Sequence, residues 1–271
     1  MAHLAISDVE NKEFFSFERV NRDSLGLAGF DEHSFRINVE DWYIEGENDG
    51  TFPWRLYGSE DGIELSLTVD PSKAIVLQGE NGLSRKSLDG NNASYYYSIT
   101  RLSTEGYIEI DGKKYNARGF SWLDREWSTS ALSEDQSGWD WFSLQFDNST
   151  DIMYFQLRNK DGSQYPYNEG LIVNPDSSVV RLGTGDIVLK PRKHWQSPLG
   201  GKYPVEWEAE IKPLGKAVIL KAVFPEQELN LSTRYWEGSI DIYDKEDSTI
   251  IIGQGYMELT GYAETLNQST K

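Results

Sequence analysis

Short runs in which apolar and polar residues alternate make up most of the chain. The clearest runs are residues 63–69, 106–110, 152–157, 217–223 and 240–243. Alternation with a period of two places one set of side chains on each face of an extended strand. No window keeps the i, i+3, i+4, i+7 apolar spacing of an amphipathic helix beyond two turns. The pattern therefore predicts an all-β fold.

Turn signals between these runs indicate how the strands connect. The pair Asp111-Gly112 tolerates positive φ and joins two alternating runs, which predicts a tight hairpin. Many short strands joined by such turns are typical of a sandwich or an up-and-down barrel. From the pattern alone both architectures remain open.

A weak internal repeat suggests two related units. Residues 94–124 contain an aromatic strand, a hairpin, and then a glycine that leads into an aromatic residue and a carboxylate. Residues 234–258 repeat that order. The repeat predicts an N-terminal domain over residues 1–120 and a C-terminal domain over residues 121–271. Chance similarity is the alternative.

Charge and composition narrow the kind of partner. The 271 residues include 26 Lys and Arg against 44 Asp and Glu, which gives a net charge of −18. Such a chain is unsuited to nucleic acid or to an anionic membrane surface, since both need a basic excess. Its apolar stretches are far shorter than the ~20 residues that span a bilayer. We therefore expect an apolar small molecule or lipid as partner, with no nucleic acid and no membrane span, and the oligomeric state stays open.

The sequence lacks the usual motifs for metals and cofactors. There is no cysteine, and the three histidines, His3, His33 and His194, lie far apart. There is no GxxxxGKS/T loop, no GxGxxG after a strand and no GxSxG nucleophile elbow. The lack of cysteine excludes thiolate zinc sites, iron–sulfur clusters and a cysteine nucleophile. We predict no metal site and no cofactor.

The segment Trp122-Leu-Asp-Arg-Glu-Trp127 carries the candidate chemistry. On a strand, Trp122, Asp124 and Glu126 share one face, and the two carboxylates lie roughly 6–7 Å apart. In a cavity, repulsion and desolvation raise the pKa of at least one of them, which produces a general acid beside an indole. The alternative is that the carboxylates face solvent or pair with an arginine.

An aromatic surface accompanies these acids on the preceding run. Tyr95 and Tyr97 share one face of that strand, and the faces of aromatic rings stabilise a developing cation. A proton donor beside aromatic rings is what protonation of an alkene to a tertiary carbocation requires. For each aromatic residue, packing in a sheet core is the simpler alternative.

Motifs spread along the chain carry a family resemblance. They include AHLAISD from residue 2, SYYYS from residue 94, WLDREW from residue 122, GWDW from residue 138, YWEG from residue 235 and GYMELTG from residue 255. Together they resemble the AttH/carotenoid 1,2-hydratase family, from the first residues to about residue 262. The resemblance implies two lipocalin-like (calycin-type) antiparallel β-barrels that hold apolar ligands. Characterised relatives add water to isolated isoprenoid double bonds without a cofactor.

The resemblance also assigns roles to residues. The family's aromatic-x-Asp motif falls on Trp122 and Asp124, which favours Asp124 over Glu126 as the catalytic acid. For the hydratase hypothesis we expect Glu126 to position the attacking water. A His-x-Trp pair of the carotenoid enzymes falls on Tyr95 and Tyr97, and this departure weakens the expectation of a carotenoid substrate. Aromatic residues of the matched motifs are predicted to bind substrate: Tyr95, Tyr97, Trp122, Trp127, Trp139, Trp141, Trp236 and Tyr256.

The start of the chain departs from the family pattern. Family members usually begin with several strands ahead of the segment that opens this sequence. We therefore expect the first barrel to be incomplete and the second to be intact. The compartment stays open, because any signal peptide would lie in the missing part.

Two functions of different classes compete at this point. The first is a cofactor-free hydratase, a lyase in which Asp124 protonates the less substituted carbon of an isoprenoid or similar lipid alkene. The second is a lipid-binding protein of the lipocalin type without chemistry, because a fold does not fix a function. A lipocalin-type cyclase is a variant of the first, and glycan processing by paired acids is a third hypothesis.

Overall fold

The chain folds almost entirely into β-strands. The computed structural model describes residues 1–47, 49–87, 92–128, 132–133, 135–161, 163 and 165–263. Within these residues there is no α-helix, and one 3₁₀ turn spans Lys212–Leu214. The predicted all-β fold is confirmed. No helix in the described part of the chain has the length and apolar character that a bilayer crossing needs.

The first eleven strands lie before residue 129. They are β1 (Ala2–Asp8), β2 (Glu13–Arg19), β3 (Ala28–Asp31), β4 (Arg36–Val39), β5 (Trp42–Glu45), β6 (Trp54–Glu60), β7 (Ile63–Pro71), β8 (Val76–Leu77), β9 (Leu83–Arg85), β10 (Ala93–Ile110) and β11 (Lys113–Ser128). Strands β1 and β2 pair with each other, and the others form a nine-stranded sheet in the order β11-β10-β7-β6-β5-β4-β3, with β8 and β9 beside β10.

The hairpin predicted at Asp111-Gly112 is confirmed. Strands β10 and β11 are neighbours in the sheet, and Asp111 and Gly112 both have positive φ, at 50° and 79°. Two consecutive residues with positive φ match the right-handed twist of the flanking strands. The turn therefore sets β10 against β11, the two strands that carry the predicted acids and tyrosines.

Ten further strands follow. They are β12 (Gln136–Phe146), β13 (Asp151–Asn159), β14 (Glu169–Val173), β15 (Val179–Leu182), β16 (Ile187–Gln196), β17 (Lys202–Ile211), β18 (Lys216–Ala222), β19 (Glu228–Asn230), β20 (Arg234–Asp244) and β21 (Ile251–Leu259). They form one sheet in the order β15-β14-β13-β12-β21-β20-β18-β17-β16, with β19 beside β20.

The chain divides into two compact units that are not contiguous in sequence. One unit comprises residues 1–6, 14–74 and 101–123, and the other comprises residues 7–13, 75–100 and 124–271. One division between the units falls at residues 123 and 124, within β11. Residues 75–100 group with the later part of the chain. Asp124 and the tyrosines of residues 95–97 therefore belong to one unit, the second.

Each unit has its own hydrophobic core. In the first unit Leu4, Ile6, Trp42 and Ile63 are buried together. In the second unit the core occupies one face of the ten-stranded sheet, and its members include Phe142 and Leu144 on β12 and Met257 and Leu259 on β21, all at most 2% exposed.

The opposite face of β12 and β21 has a different character. Trp139 and Trp141 on β12, and Tyr256 and Glu258 on β21, alternate with the core residues and keep partial exposure. A solvent-facing strand surface is normally polar, whereas this surface is mainly aromatic. This face of the second unit holds the candidate site.

Candidate functional site

Asp124 lies at the centre of a group of hydrogen-bonded side chains. It is on β11, and the neighbouring strand β10 presents two hydroxyls to it. The Tyr96 hydroxyl donates to Oδ2 at 2.6 Å, and the Ser98 hydroxyl donates to Oδ1 at 2.5 Å. Tyr96 and Ser98 are alternate residues, so the pleat of the strand puts both side chains on one face.

Both hydroxyls also accept a hydrogen bond from an N–H group. Trp141 Nε1 donates to the Tyr96 hydroxyl at 3.1 Å, and Gln78 Nε2 donates to Ser98 Oγ at 2.8 Å. Since each hydroxyl has a single proton, that proton is left to point at the carboxyl group. Asp124 is thus an acceptor on both oxygens, and this arrangement favours the ionised carboxylate over the acid.

Tyr96 is a neutral donor in this group. Its side chain is almost completely buried. Burial and the negative charge of Asp124 raise the pKa of Tyr96 well above its ordinary value of 10. The phenol therefore keeps its proton at neutral pH and holds Asp124 in place.

Glu126, the second predicted acid, is paired with a cation. The Ser94 hydroxyl donates to Glu126 Oε1, and Lys86 Nζ lies 3.1 Å from the same oxygen. The Lys86 side chain is only 12% exposed, and its ammonium group lies 3.7 Å from the centroid of the Phe155 ring. For Glu126 the structure thus shows pairing with a basic residue, a lysine rather than an arginine.

A further carboxyl group, that of Glu258, lies on the aromatic face of β21. Trp139 Nε1 donates to Glu258 Oε1 at 3.0 Å. In the strand register Glu258 is opposite Trp141 on β12 and opposite Glu237 on β20. Burial, and then the charge of Glu237, raise the pKa of Glu258 to about 7. This carboxyl group holds a proton for much of the time near neutral pH.

One strand connects Glu258 to Asp124. Trp139 and Trp141 are alternate residues of β12 and share a face. Trp139 donates to Glu258, whereas Trp141 donates to the Tyr96 hydroxyl that in turn donates to Asp124. The two carboxyl groups therefore border one indole-lined surface of the second unit.

Tyr95 and Tyr97 lie on the other face of β10. They alternate with Tyr96 and Ser98, which face Asp124. Tyr95 is 69% exposed, and the Tyr97 ring lies 5.8 Å from the ring of Trp127, which is half-exposed. The structure therefore does not bring Tyr95, Tyr97 or Trp127 to the face that holds Asp124, in contrast to the surface expected from the sequence.

The remaining predicted aromatic residues separate into two groups. Trp236 is completely buried in the core of the second unit, and its Nε1 donates to the Pro225 carbonyl at 2.7 Å. This position does not support the predicted contact with substrate, because the core face of the sheet is away from Asp124. Tyr256 lies on the same face as Glu258. Trp122 precedes Asp124 by two residues on β11 and is partly exposed.

The residues that sequence reasoning missed are mostly polar. Tyr96, Ser98 and Gln78 bind or support Asp124, and Glu258 is the second carboxyl of the surface. Gln78 is completely buried although it is polar, which is uncommon without a hydrogen-bond partner. The GYMELTG motif contained Glu258, but only the strand register shows that it is opposite another glutamate.

The chemistry of this surface is acidic and aromatic. Asp124, Glu237 and Glu258 provide carboxyl groups beside the indoles of Trp139 and Trp141. Among the described residues there is no group of three or more His, Cys, Asp or Glu side chains placed to hold a metal ion. The surface is therefore suited to a neutral ligand that becomes positively charged, and poorly suited to an anion.

Removing the Tyr96 hydroxyl is expected to destabilise the second unit. In the Tyr96→Phe variant, Asp124 Oδ2 loses a donor and Trp141 Nε1 loses its acceptor, so we expect a loss of about 1–3 kcal/mol in the free energy of unfolding. Urea denaturation measures this value. Tyr95→Phe is the matched control, and its change should stay within about 0.5 kcal/mol because the side chain is exposed. Equal values for the two variants would contradict the hydrogen-bonding role of Tyr96.

Comparisons with known proteins agree with the expected family. A family model described as AttH-like matches residues 1–262. A kievitone hydratase from Fusarium solani subsp. phaseoli is 19% identical over 212 residues, which cover 76% of this chain and 59% of that protein. The chain thus spans less than two thirds of the length of this curated relative.

Solved structures show the same fold. The crystal structure of a protein described as AttH from Nitrosomonas europaea has a TM-score of 0.86 and 29% identity, and the match covers 96% of this chain and 81% of that one. A kievitone hydratase from Nectria haematococca has a TM-score of 0.74 and 19% identity over 96% of this chain and 79% of that one. The lipocalin-like antiparallel fold expected from the sequence is confirmed.

Proposed function

The chain belongs to the AttH-like family, and from this premise we propose that it is a cofactor-free hydratase that adds water to a carbon–carbon double bond of an apolar small molecule. The observation that carries the proposal is the Asp124 carboxylate, held by two hydroxyls beside an indole-lined surface. The kievitone hydratases among its relatives support the reaction class.

The charge of the site favours protonation as the first step. When a proton adds to the less substituted carbon, the more substituted carbon becomes a cation, which carboxylates and indole faces stabilise. Addition of hydroxide to a conjugated carbonyl would instead create an enolate oxyanion. An acidic surface would repel that anion. The proposed substrate therefore has an isolated alkene, such as the end of an isoprenoid or prenyl group.

Asp124 has a defined role in this reaction. Water attacks the cation, its oxygen forms the new C–O bond, and one of its protons must leave. The Asp124 carboxylate accepts that proton, since an ionised carboxyl group carries several acceptor lone pairs. This assignment differs from the catalytic acid expected from the sequence, because the two hydroxyl donors favour the ionised form. Glu126, paired with Lys86, supports the strand pairing and the charge balance.

A non-catalytic lipid carrier remains the second candidate. The observation that favours it is the saturation of the polar groups: Asp124 accepts from two hydroxyls and Glu126 is paired with Lys86. Such pairing also serves a purely structural purpose. In that case the aromatic face binds an apolar ligand and leaves it unchanged.

Isotope labelling distinguishes the two candidates. The purified protein is incubated in H₂¹⁸O with a prenylated phenol and with an acyclic isoprenoid that has a terminal trisubstituted double bond, and the products are analysed by mass spectrometry. The hydratase proposal predicts a product that gains one labelled water from at least one of them. Recovery of both compounds unlabelled, with either one bound to the protein, would favour the carrier.

A further inference from the structure

We propose that Glu258 is the catalytic residue that donates the proton to the alkene, an inference that rests on the hydratase function proposed above. Sequence reasoning gave this role to Asp124 and assigned none to Glu258, although Glu258 is the carboxylate of the second repeat and lies in the GYMELTG motif. The geometry of the aromatic face, and the protonation of the other groups around it, support the reassignment.

The hydrogen bonds of Glu258 leave one oxygen available. Trp139 Nε1 donates to Oε1 at 3.0 Å, and the Thr260 hydroxyl lies 3.4 Å from the same oxygen. Among the described residues no hydrogen bond falls on Oε2. Because an indole N–H only donates, Oε1 is the acceptor of the carboxyl group. When Glu258 is protonated, its proton is therefore expected on Oε2, the oxygen that would face a ligand.

The surroundings of Glu258 raise its pKa. Glu237 on β20 lies directly opposite it, and two like charges opposite each other across strands are unfavourable. The other ionisable groups that act on it or lie beside it are Glu126 on β11, with its partner Lys86, and Tyr256 on its own strand. Of these four groups only Lys86 is a cation, and it is paired with Glu126. The pKa of about 7 is the outcome of this arrangement together with burial.

The other polar groups of the surface are poor proton donors to an alkene. Asp124 accepts hydrogen bonds on both oxygens and is held as a carboxylate. Glu126 is ion-paired with Lys86. Tyr96 has a raised pKa and directs its proton to Asp124. Glu258 faces the like charge of Glu237, and burial and that charge both raise its pKa. Burial also raises the pKa of Glu169 on β14, but the charges of Lys86 and Arg181 lower it.

The proton inventory of the reaction balances with these assignments. The O–H bond of Glu258 breaks and its proton forms a C–H bond with the electron pair of the double bond. Water then attacks the cation and passes one proton to Asp124. Exchange with solvent returns a proton to Glu258 and removes one from Asp124, so the net reaction adds one water molecule and needs no oxidant or cofactor.

Two variants and a control test the donor role. Glu258→Gln keeps the shape and the acceptor oxygen for Trp139 but removes the acidic proton, so turnover should fall by about 10²–10⁴-fold. Glu237→Gln removes the opposing charge and should lower the pKa of Glu258. The rate falls as pH rises through the pKa of an essential acid, so the alkaline limb of the Glu237→Gln profile should move to lower pH. Glu246→Gln, at an exposed position, should change neither value.

A direct titration separates this inference from the hydratase proposal. With glutamate labelled by ¹³C at the side-chain carboxyl, NMR should show one resonance that titrates near pH 7 and is missing from Glu258→Gln. The midpoint of this resonance should fall in Glu237→Gln. A titration midpoint of Glu258 near the ordinary glutamate value of about 4.3 would overturn the donor role. Turnover of Glu258→Gln equal to that of an active wild-type protein would overturn it as well. Absence of hydration by the wild type would overturn the hydratase function, and the donor role with it.

Discussion

Asp124→Asn is expected to lower the rate of the proposed hydration by about 10²–10⁴-fold, the range that follows when a group that accepts or donates a proton in the transition state is lost. Asparagine has nearly the same shape as aspartate but has no negative charge and cannot take the proton from water. Affinity for the apolar substrate should change little, because the indole surface of Trp139 and Trp141 is intact.

The experiment on Asp124 needs two controls. Asp147→Asn makes the same chemical change at an exposed position of the second unit and should keep the wild-type rate. In Asp124→Asn the amide NH₂ group replaces one acceptor oxygen beside the Tyr96 and Ser98 hydroxyls, which both donate to Asp124 in the wild type. Thermal unfolding therefore has to show that the variant is folded. A folded Asp124→Asn variant with wild-type turnover would exclude Asp124 from the reaction.

Trp236→Ala is expected to destabilise the protein by about 3–5 kcal/mol, the cost of removing a completely buried large aromatic side chain. Trp236 lies in the core of the second unit at 0% exposure, and its Nε1 hydrogen bond to Pro225 would also be lost. Urea denaturation measures the change. This result would assign Trp236 to the core rather than to the substrate surface.

Trp139→Phe is the matched comparison for Trp236. It removes the donor to Glu258 from a partly exposed position, so its effect on unfolding should be smaller while the pH dependence of turnover changes. The sequence-based assignment of Trp236 to the ligand surface instead predicts that Trp236→Ala loses ligand binding and keeps its stability. A Trp236→Ala variant that is as stable as the wild type but fails to bind ligand would support that assignment and contradict the core position.

The sequence predicted the strands well because their signals are local. Alternation of apolar residues and the Asp111-Gly112 turn depend only on neighbours in the chain. The same alternation correctly grouped Asp124 and Glu126 on one face of β11. The alternation did not show which face of β10 these carboxylates contact. The three consecutive tyrosines Tyr95, Tyr96 and Tyr97 place aromatic rings on both faces of that strand.

The charge states of the site depend on contacts that are distant in sequence. Glu258 meets Glu237 through the register of β20 and β21, and it meets Trp139 across 119 positions of the chain. Neither contact has a local signal. Trp236 shows the same limit, since a tryptophan in a strand suits a packed core and a ligand surface equally, and only the burial of the folded chain separates them.

The most direct test of the account is the position of deuterium after hydration in D₂O. With a substrate identified by the ¹⁸O experiment, NMR of the product locates the new C–D bond and the new hydroxyl. Protonation by a carboxyl group followed by attack of water predicts one non-exchangeable deuterium on the less substituted carbon and the hydroxyl on the more substituted carbon. A hydroxyl on the less substituted carbon would contradict the protonation-first mechanism at this site. So would a product without deuterium on the carbon next to the one that carries the hydroxyl.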